Sequence, residues 1–236
     1  MKILALDSSG LTASVAVVED EIMVGEYTIN YKKTHSQTLL PMLDRLAEEI
    51  ELDLKTIDYI AIAGGPGSFT GLRIGSATAK GLGLALKKPL VHIPTVDAMA
   101  YNFYGTDKMI CPLMDARRNQ VYTGLYEFQG GEFKILEAQC AISIEEILTK
   151  INTLGKEVIF LGDGVPVYLE KIKEMVQVPY VLAPAHANRQ RAAAVAVLAQ
   201  KYVREGKVET AAEHEPDYLR LSQAERERME KEKGAV

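Results

Sequence analysis

Gly64-Gly65-Pro66-Gly67-Ser68-Phe69-Thr70-Gly71-Leu72-Arg73-Ile74-Gly75 is the stretch on which the reading of this chain turns. An apolar run over residues 57–63 precedes it, and a helical pattern over about 72–86 follows. A buried strand, a glycine-rich loop and a helix, in that order, can point backbone N–H groups at an anion. This is not a Walker loop, because no Gly-Lys-Ser or Gly-Lys-Thr closes it. Nor is it a dinucleotide fingerprint: after Gly65-Pro66-Gly67 the next glycine, Gly71, comes one position late. Gly65, Gly67, Ser68 and Thr70 are the candidate anion-loop residues. A tight structural turn fits the same residues and is the plainer reading.

Working outward, residues 2–7 are nearly all apolar and end in Asp7, the pattern of a buried central strand. Residues 12–18 and 22–29 read as hairpin strands around Glu19-Asp20-Glu21. Thr34, three residues before Gln37, predicts a capping box that opens a helix over 34–50. Leu39, Leu40, Leu43, Leu46, Ala47 and Ile50 form its apolar stripe. The second half predicts strands near 90–93, 109–114, 120–128 and 158–161, with helices near 144–151 and 192–203. Buried strands alternating with helices point to mixed sheets covered by helices. The polar stretch 101–108, with Gly105, is the candidate hinge. It divides an N-terminal lobe, 1–105, from a C-terminal lobe, 106–222, followed by a charged tail, 223–236. The tail reads as a solvated helix.

Composition narrows the function classes. The 236 residues suit one large domain or two small ones, with 47% hydrophobic and 25% charged residues. Net charge is −5, whereas a chain that grips nucleic acid alone carries a basic surface. Contact with RNA is therefore expected only inside a larger assembly. Cys111 and Cys140 lie in apolar stretches without a CxxC pair and read as reduced core residues. The start shows no signal-peptide pattern and no apolar stretch reaches membrane-helix length, so a cytoplasmic protein is expected.

The helix after the loop carries its own signal. Gly71, Gly75, Ala79 and Gly83 recur every fourth residue, which leaves one face almost bare. Glycine in a helix interior costs about 1 kcal/mol relative to alanine. Something must therefore approach closely: either the chain's own sheet, or another subunit that also meets the helix over 34–50. The residues leave both open.

Taken together, these segments resemble the bacterial TsaB family, also called YeaZ, of tRNA threonylcarbamoyladenosine biosynthesis subunits. Residues 3–9, His35-Ser36-Gln37, Leu39-Leu40-Pro41, the Gly65 to Gly75 run, Asp115 to Tyr122, Gly162-Asp163-Gly164 and Pro216 to Arg220 carry the likeness. It spans nearly the whole chain, and the glycine run is highly specific. The resemblance implies a two-lobed α/β fold of the actin and sugar-kinase type (ASKHA), each lobe of ribonuclease-H type. It implies a heterodimer with a paralogous catalytic subunit, TsaD, and a small ATPase, TsaE, in a larger complex. That complex transfers threonylcarbamoyl to an adenosine beside the tRNA anticodon, so this chain would meet tRNA only indirectly. It further implies that helices of the N-terminal lobe dock TsaD. Carried over here, the docking set is His35, Leu39, Leu43, Gly71, Arg73, Gly75, Ala79 and Lys80. Self-association in isolation is also expected, since a surface meant for a paralogue accepts its own copy.

No catalytic residue, cofactor or metal site is expected. Metal-binding relatives use His-x-x-x-His on a helix, but His35 is followed four positions on by Leu39. His92, His186 and His214 likewise have no ligand at that spacing. The competing reading is a stand-alone ATPase, in which strand-end Asp7 and Asp115 face a cleft beside Ser8 and Arg117; capping of the loop at Ser8–Ser9 is the equally open reading of Asp7. Against it, neither the first loop nor the glycine run contains lysine. Arg117 and Arg118, read as strand neighbours, would point to opposite faces, leaving one at most for the cleft.

Overall fold

The computed structural model describes residues 1–220, so the charged tail beyond residue 222 lies outside the described residues. The chain opens with β1 (Lys2–Asp7), β2 (Thr12–Glu19), β3 (Ile22–Asn30), α1 (His35–Glu49), β4 (Tyr59–Gly65), α2 (Phe69–Leu86), β5 (Leu90–Pro94) and α3 (Thr95–Tyr101). It continues with β6 (Met109–Asp115), β7 (Gln120–Gln129), β8 (Glu132–Ser143), α4 (Ile144–Leu154) and β9 (Val158–Leu161). The short α5 (Gly164–Val167) and α6 (Leu169–Met175), then β10 (Tyr180–Leu182) and α7 (Ala192–Arg204), complete it.

Two five-stranded sheets repeat one topology. The first runs β3-β2-β1-β4-β5 and the second β8-β7-β6-β9-β10. In each, three strands form an antiparallel meander, and two more join in parallel on the far side of the first strand. This is the doubled ribonuclease-H arrangement of the actin and sugar-kinase type. β1 is apolar on both faces because both faces are covered. Leu4 and Leu6 meet Leu39, Leu43 and Leu46 of α1 and Ala79 of α2. Ile3 and Ala5, on the other face, meet α7. α3 sits between the sheets, with Ala98 in the first sheet's core and Met99 and Ala100 against Ile110, Met114 and Tyr126.

Several expectations need correction. The lobes are not split by a single cut near residue 105, because α7 packs on the first sheet. Ala192, Val195, Ala196, Leu198 and Ala199 are buried against Ile3, Ala5, Val91 and Ile93. The amides of Ala192 and Ala193 donate to Ser14 Oγ (2.9 Å) and Glu26 Oε1 (3.0 Å), so β2 and β3 cap a helix from the far end of the chain. The Thr34 capping box does not form: the Gln37 amide donates to the Thr34 carbonyl (2.9 Å) and no side chain caps α1. α2 begins at Phe69, three residues early, because Ser68 Oγ accepts from the Gly71 amide (3.3 Å). Arg117 and Arg118 are not strand neighbours. With Asn119 they form a turn of three left-handed residues (φ 65°, 56° and 61°), so strand alternation does not govern them. Among the described residues no helix is long and apolar enough to cross a membrane.

Candidate functional site

A cleft of about 490 Å³ opens where the sheets face each other. Ser9, Gly67, Ser68, Thr70 and His35 line it on the first side, and Asp115, Arg117 and Asp163 on the second. Sequence reasoning missed Lys33, which also lines it and precedes α1 on a loop that carries no motif.

The glycine loop forms one wall, and its close approaches are made by the chain itself. A Cβ on Gly67 would lie 2.2 Å from the Ser9 carbonyl oxygen. On Gly71 it would lie 2.1 Å from the Ser8 oxygen, and on Gly65 2.3 Å from the Asp217 oxygen. The Ser68 amide donates to Ser9 O (2.6 Å), the Gly71 amide to Ser68 Oγ, and the Gly65 amide to Thr95 Oγ1 (3.2 Å). Ser8 Oγ donates to Gly71 O (2.9 Å), buried behind the loop. The amides of Gly65, Ser68 and Gly71 are thus committed internally, and the oxygens that come closest to the glycines would repel an anion. The glycines serve a tight turn against backbone.

Asp7 is buried at the end of β1 and is not among the residues lining the cleft. Its Oδ1 accepts from Ser9 N (2.9 Å) and Ser9 Oγ (2.7 Å), while Oδ2 is buried without a partner. Burial outweighs the Ser9 bonds and the nearby His35, raising its pKa to about 6. Asp115 does reach the cleft. Its Oδ1 accepts from the Arg117 amide (2.9 Å) and Tyr168 OH (3.2 Å), and its Oδ2 lies 3.6 Å from the Arg117 guanidinium. The neighbouring Asp163, whose carboxyl burial holds above its ordinary range, accepts from the Asp115 amide (3.2 Å). The two predicted aspartates therefore do not form an open pair.

The expected docking set divides. Leu39, Leu43, Gly71, Gly75 and Ala79 face their own lobe and are corrected to core positions. A Cβ on Gly75 would meet Ser8 Oγ at 2.4 Å and Ile62 Cδ1 at 3.0 Å, and one on Gly83 would meet Leu90 Cδ1 at 2.4 Å. The bare stripe thus packs on the chain's own sheet. Lys80 is engaged as well, donating to the carbonyls of Ala212 (3.2 Å) and His214 (2.8 Å). His35 Nε2 donates to Gly10 O (2.7 Å), leaving Nδ1 buried without a partner. Arg73 points outward, its guanidinium 4.1 Å from the Phe69 ring centre. On the same outer face, α1 and α2 expose Leu40, Pro41, Ala77, Gly81 and Leu84.

A second cluster escaped sequence reasoning because its members share no helix. His92 (β5), Glu209 and His214 each offer a ligand atom, all within 4.8 Å of one another. His214 Nδ1 donates to Glu209 Oε1 (2.6 Å), and its Nε2 lies 2.6 Å from Ser76 Oγ. Burial, with the His214 ring beside it, lowers the His92 pKa. Glu209 is held in place by a bridge to Leu90, with Leu90 N donating to Glu209 O (2.8 Å) and Glu209 N to Leu90 O (2.9 Å). Spacing on one helix does not reveal them, because His92 lies on β5 while Glu209 and His214 lie in the segment after α7. Both cysteines are free; Cys111 is buried, with its thiol pushed up to about 12, while Cys140 is only partly covered.

The doubled sheet, the interlobe cleft and the glycine wall place the chain among two-lobed α/β proteins of the actin and sugar-kinase type. The family model described as TsaD, tRNA N6-adenosine threonylcarbamoyltransferase, matches residues 23–228. The tRNA threonylcarbamoyladenosine biosynthesis protein TsaB of Bacillus subtilis is 31% identical over 99% of this chain and 100% of its own length. TsaB of Escherichia coli K12 is 28% identical over 93% and 95%. The structure of YeaZ from Pseudomonas aeruginosa superposes with a TM-score of 0.80 at 28% identity, covering 92% of this chain and 99% of that one. The chain belongs to the TsaB (YeaZ) family.

Proposed function

We propose that this chain is a non-catalytic subunit in the formation of threonylcarbamoyladenosine on tRNA, acting in the cytoplasm beside a TsaD-type catalytic paralogue. A relative named for this biosynthesis that matches end to end, and a TsaD-type model that covers most of the chain, support the partnership. One observation carries the non-catalytic half: the glycine loop packs against the chain's own backbone, approached by the carbonyls of Ser8, Ser9 and Asp217, and contains no lysine to hold a phosphate.

Docking falls to the outward faces of α1 and α2, not to the buried stripe. Leu40 and Leu84 stand 52% and 65% exposed there, beside Ala77 and Gly81, where a methyl group and a bare backbone let another helix approach closely. Arg73 adds a cation at one end. A TsaE-type ATPase is part of the larger assembly, and tRNA is met through that assembly, in keeping with the net charge of −5.

Gel filtration of this chain mixed with its cognate TsaD-type protein is expected to give a complex, and tRNA modification to require both. Ala77→Arg and Leu84→Glu, both on the exposed face, are expected to abolish the complex while leaving the thermal midpoint unchanged. Normal complex formation by both variants would remove this face from the interface. Loss of the isolated chain's self-association in the same variants would show that copies share that surface. ATP hydrolysis or tRNA modification by the purified chain alone at an enzymatic rate would overturn the non-catalytic assignment.

A further inference from the structure

We infer that His92, Glu209 and His214 bind one divalent transition-metal ion of the zinc class, clipping residues 207–217 onto the N-terminal lobe. The inference is independent of the partnership above. Two imidazoles and a carboxylate are a donor set that such an ion takes, with bonds of about 2.0–2.2 Å. In a tetrahedral site with those bonds ligand atoms stand roughly 3.3–3.6 Å apart, so a cluster spanning 4.8 Å closes on the ion with movements of about 1 Å. His92 and Glu209 are partly exposed, which leaves a path for the ion and room for water as a fourth ligand.

Surrounding contacts are already arranged for this. His214 is buried, and its Nε2 meets Ser76 Oγ at 2.6 Å. With metal on Nδ1, the ring carries its proton on Nε2 and donates to Ser76, the outer contact that orients a metal-bound imidazole. Without metal, Nδ1–H donates to Glu209 and Ser76 donates to Nε2. A neutral ring passes between these states by exchanging tautomers, with no net proton gained or lost. Lys80 holds the His214 carbonyl (2.8 Å), and the Leu90–Glu209 bridge holds the third ligand. Beyond His214, the Asp217 amide donates to Gly64 O (2.7 Å), so the clipped segment runs against the glycine loop.

The test uses the full chain, stripped with a chelator and titrated with Zn²⁺ alone against a chromophoric competitor. One ion per chain is expected, together with a raised thermal midpoint. His92→Phe keeps a ring against Gly64, and Glu209→Gln keeps an acceptor for Nδ1–H, so both are expected to fold. Each should weaken zinc binding by about 100-fold or more and abolish the rise in midpoint. Failure of the native chain to compete for zinc overturns the site, and equal uptake by native and both variants means an adventitious ion only. If neither variant folds, the Co²⁺-loaded native protein decides. Paramagnetically shifted resonances from two imidazoles support the site, and their absence overturns it.

Discussion

Asp7 closes the first strand as a carboxylate with one oxygen satisfied by Ser9 and the other buried without a partner. Its carboxyl, raised from 3.8 to about 6, favours the protonated form in the fold. Its stabilising contribution is therefore complete below pH 3.8 and is lost as pH rises through 6. Above that, ionised Asp7 costs on the order of 3 kcal/mol, from a shift of about two units. Asp7→Asn keeps an acceptor for Ser9 and removes the charge, at the cost of a buried amide N–H. The variant should be about 1–2 kcal/mol more stable at pH 7 and about 1 kcal/mol less stable at pH 4, where the charge relief has largely gone and the cost of the buried amide remains. Urea midpoints across that range check this; a variant less stable at pH 7 would mean the carboxylate is satisfied by something else. The strand-end aspartate was legible in the sequence. Its isolation from the cleft was not, because that depends on Ser9 and the glycine loop closing over it.

On α2 the legible and the hidden sit side by side. Glycines at every fourth position announced a close approach, but spacing does not say by what. The answer lies just past β1 and in β4: Ser8 and Ile62 fill the space beside Gly75, and the Ser8 carbonyl fills that beside Gly71. Gly81 lies off the stripe, with nothing among the described residues within 4 Å of a Cβ built there. The two glycines should therefore respond oppositely to alanine. Gly81→Ala is expected to add about 0.5–1 kcal/mol through helix propensity alone. Gly71→Ala is expected to cost about 1–3 kcal/mol or more, because a backbone carbonyl cannot move aside as a side-chain end can. Chemical denaturation of the two single variants measures both; a neutral Gly71→Ala would mean the first strand and α2 slide apart readily. The strands and helices with strong periodicity were all readable. β8, β10 and the short helices α3, α5 and α6 were not: β8 is largely exposed along its first half and pairs through two bulges, β10 has three residues, and the helices run four to seven residues, too few for a periodic stripe.

The duplicated sheet suggests two lobes that could be separated in sequence, yet the chain is closed upon itself. α7, from the end of the described chain, supplies Val195, Ala196, Leu198 and Ala199 to the face of the first sheet opposite α1 and α2. Its first amides are taken by Ser14 and Glu26, and Arg191 pairs with Glu26. The segment after it bridges to Leu90, packs Tyr218 against Phe69 at a tilt of 35° (4.6 Å between ring centres) and sends Arg220 to the Ala116 carbonyl on the second lobe. A fragment of residues 1–105 would thus leave Ile3, Ala5, Val91 and Ile93 exposed on one sheet face. Burying such a side chain contributes about 1.5–3 kcal/mol, and a small domain holds only 5–15 kcal/mol in total. The fragment alone is expected to lack a cooperative thermal transition and dispersed amide resonances. Joining residues 188–220 to it through a flexible Gly/Ser linker should restore both, because that piece returns α7 and its capping contacts. Arg191→Ala in the joined fragment should lower its midpoint, since it leaves the Glu26 carboxylate, buried at 6% exposure, without its cation. A cooperative fold in the bare fragment would show instead that the first sheet is stable with one face open, and that α7 closes a lobe already formed.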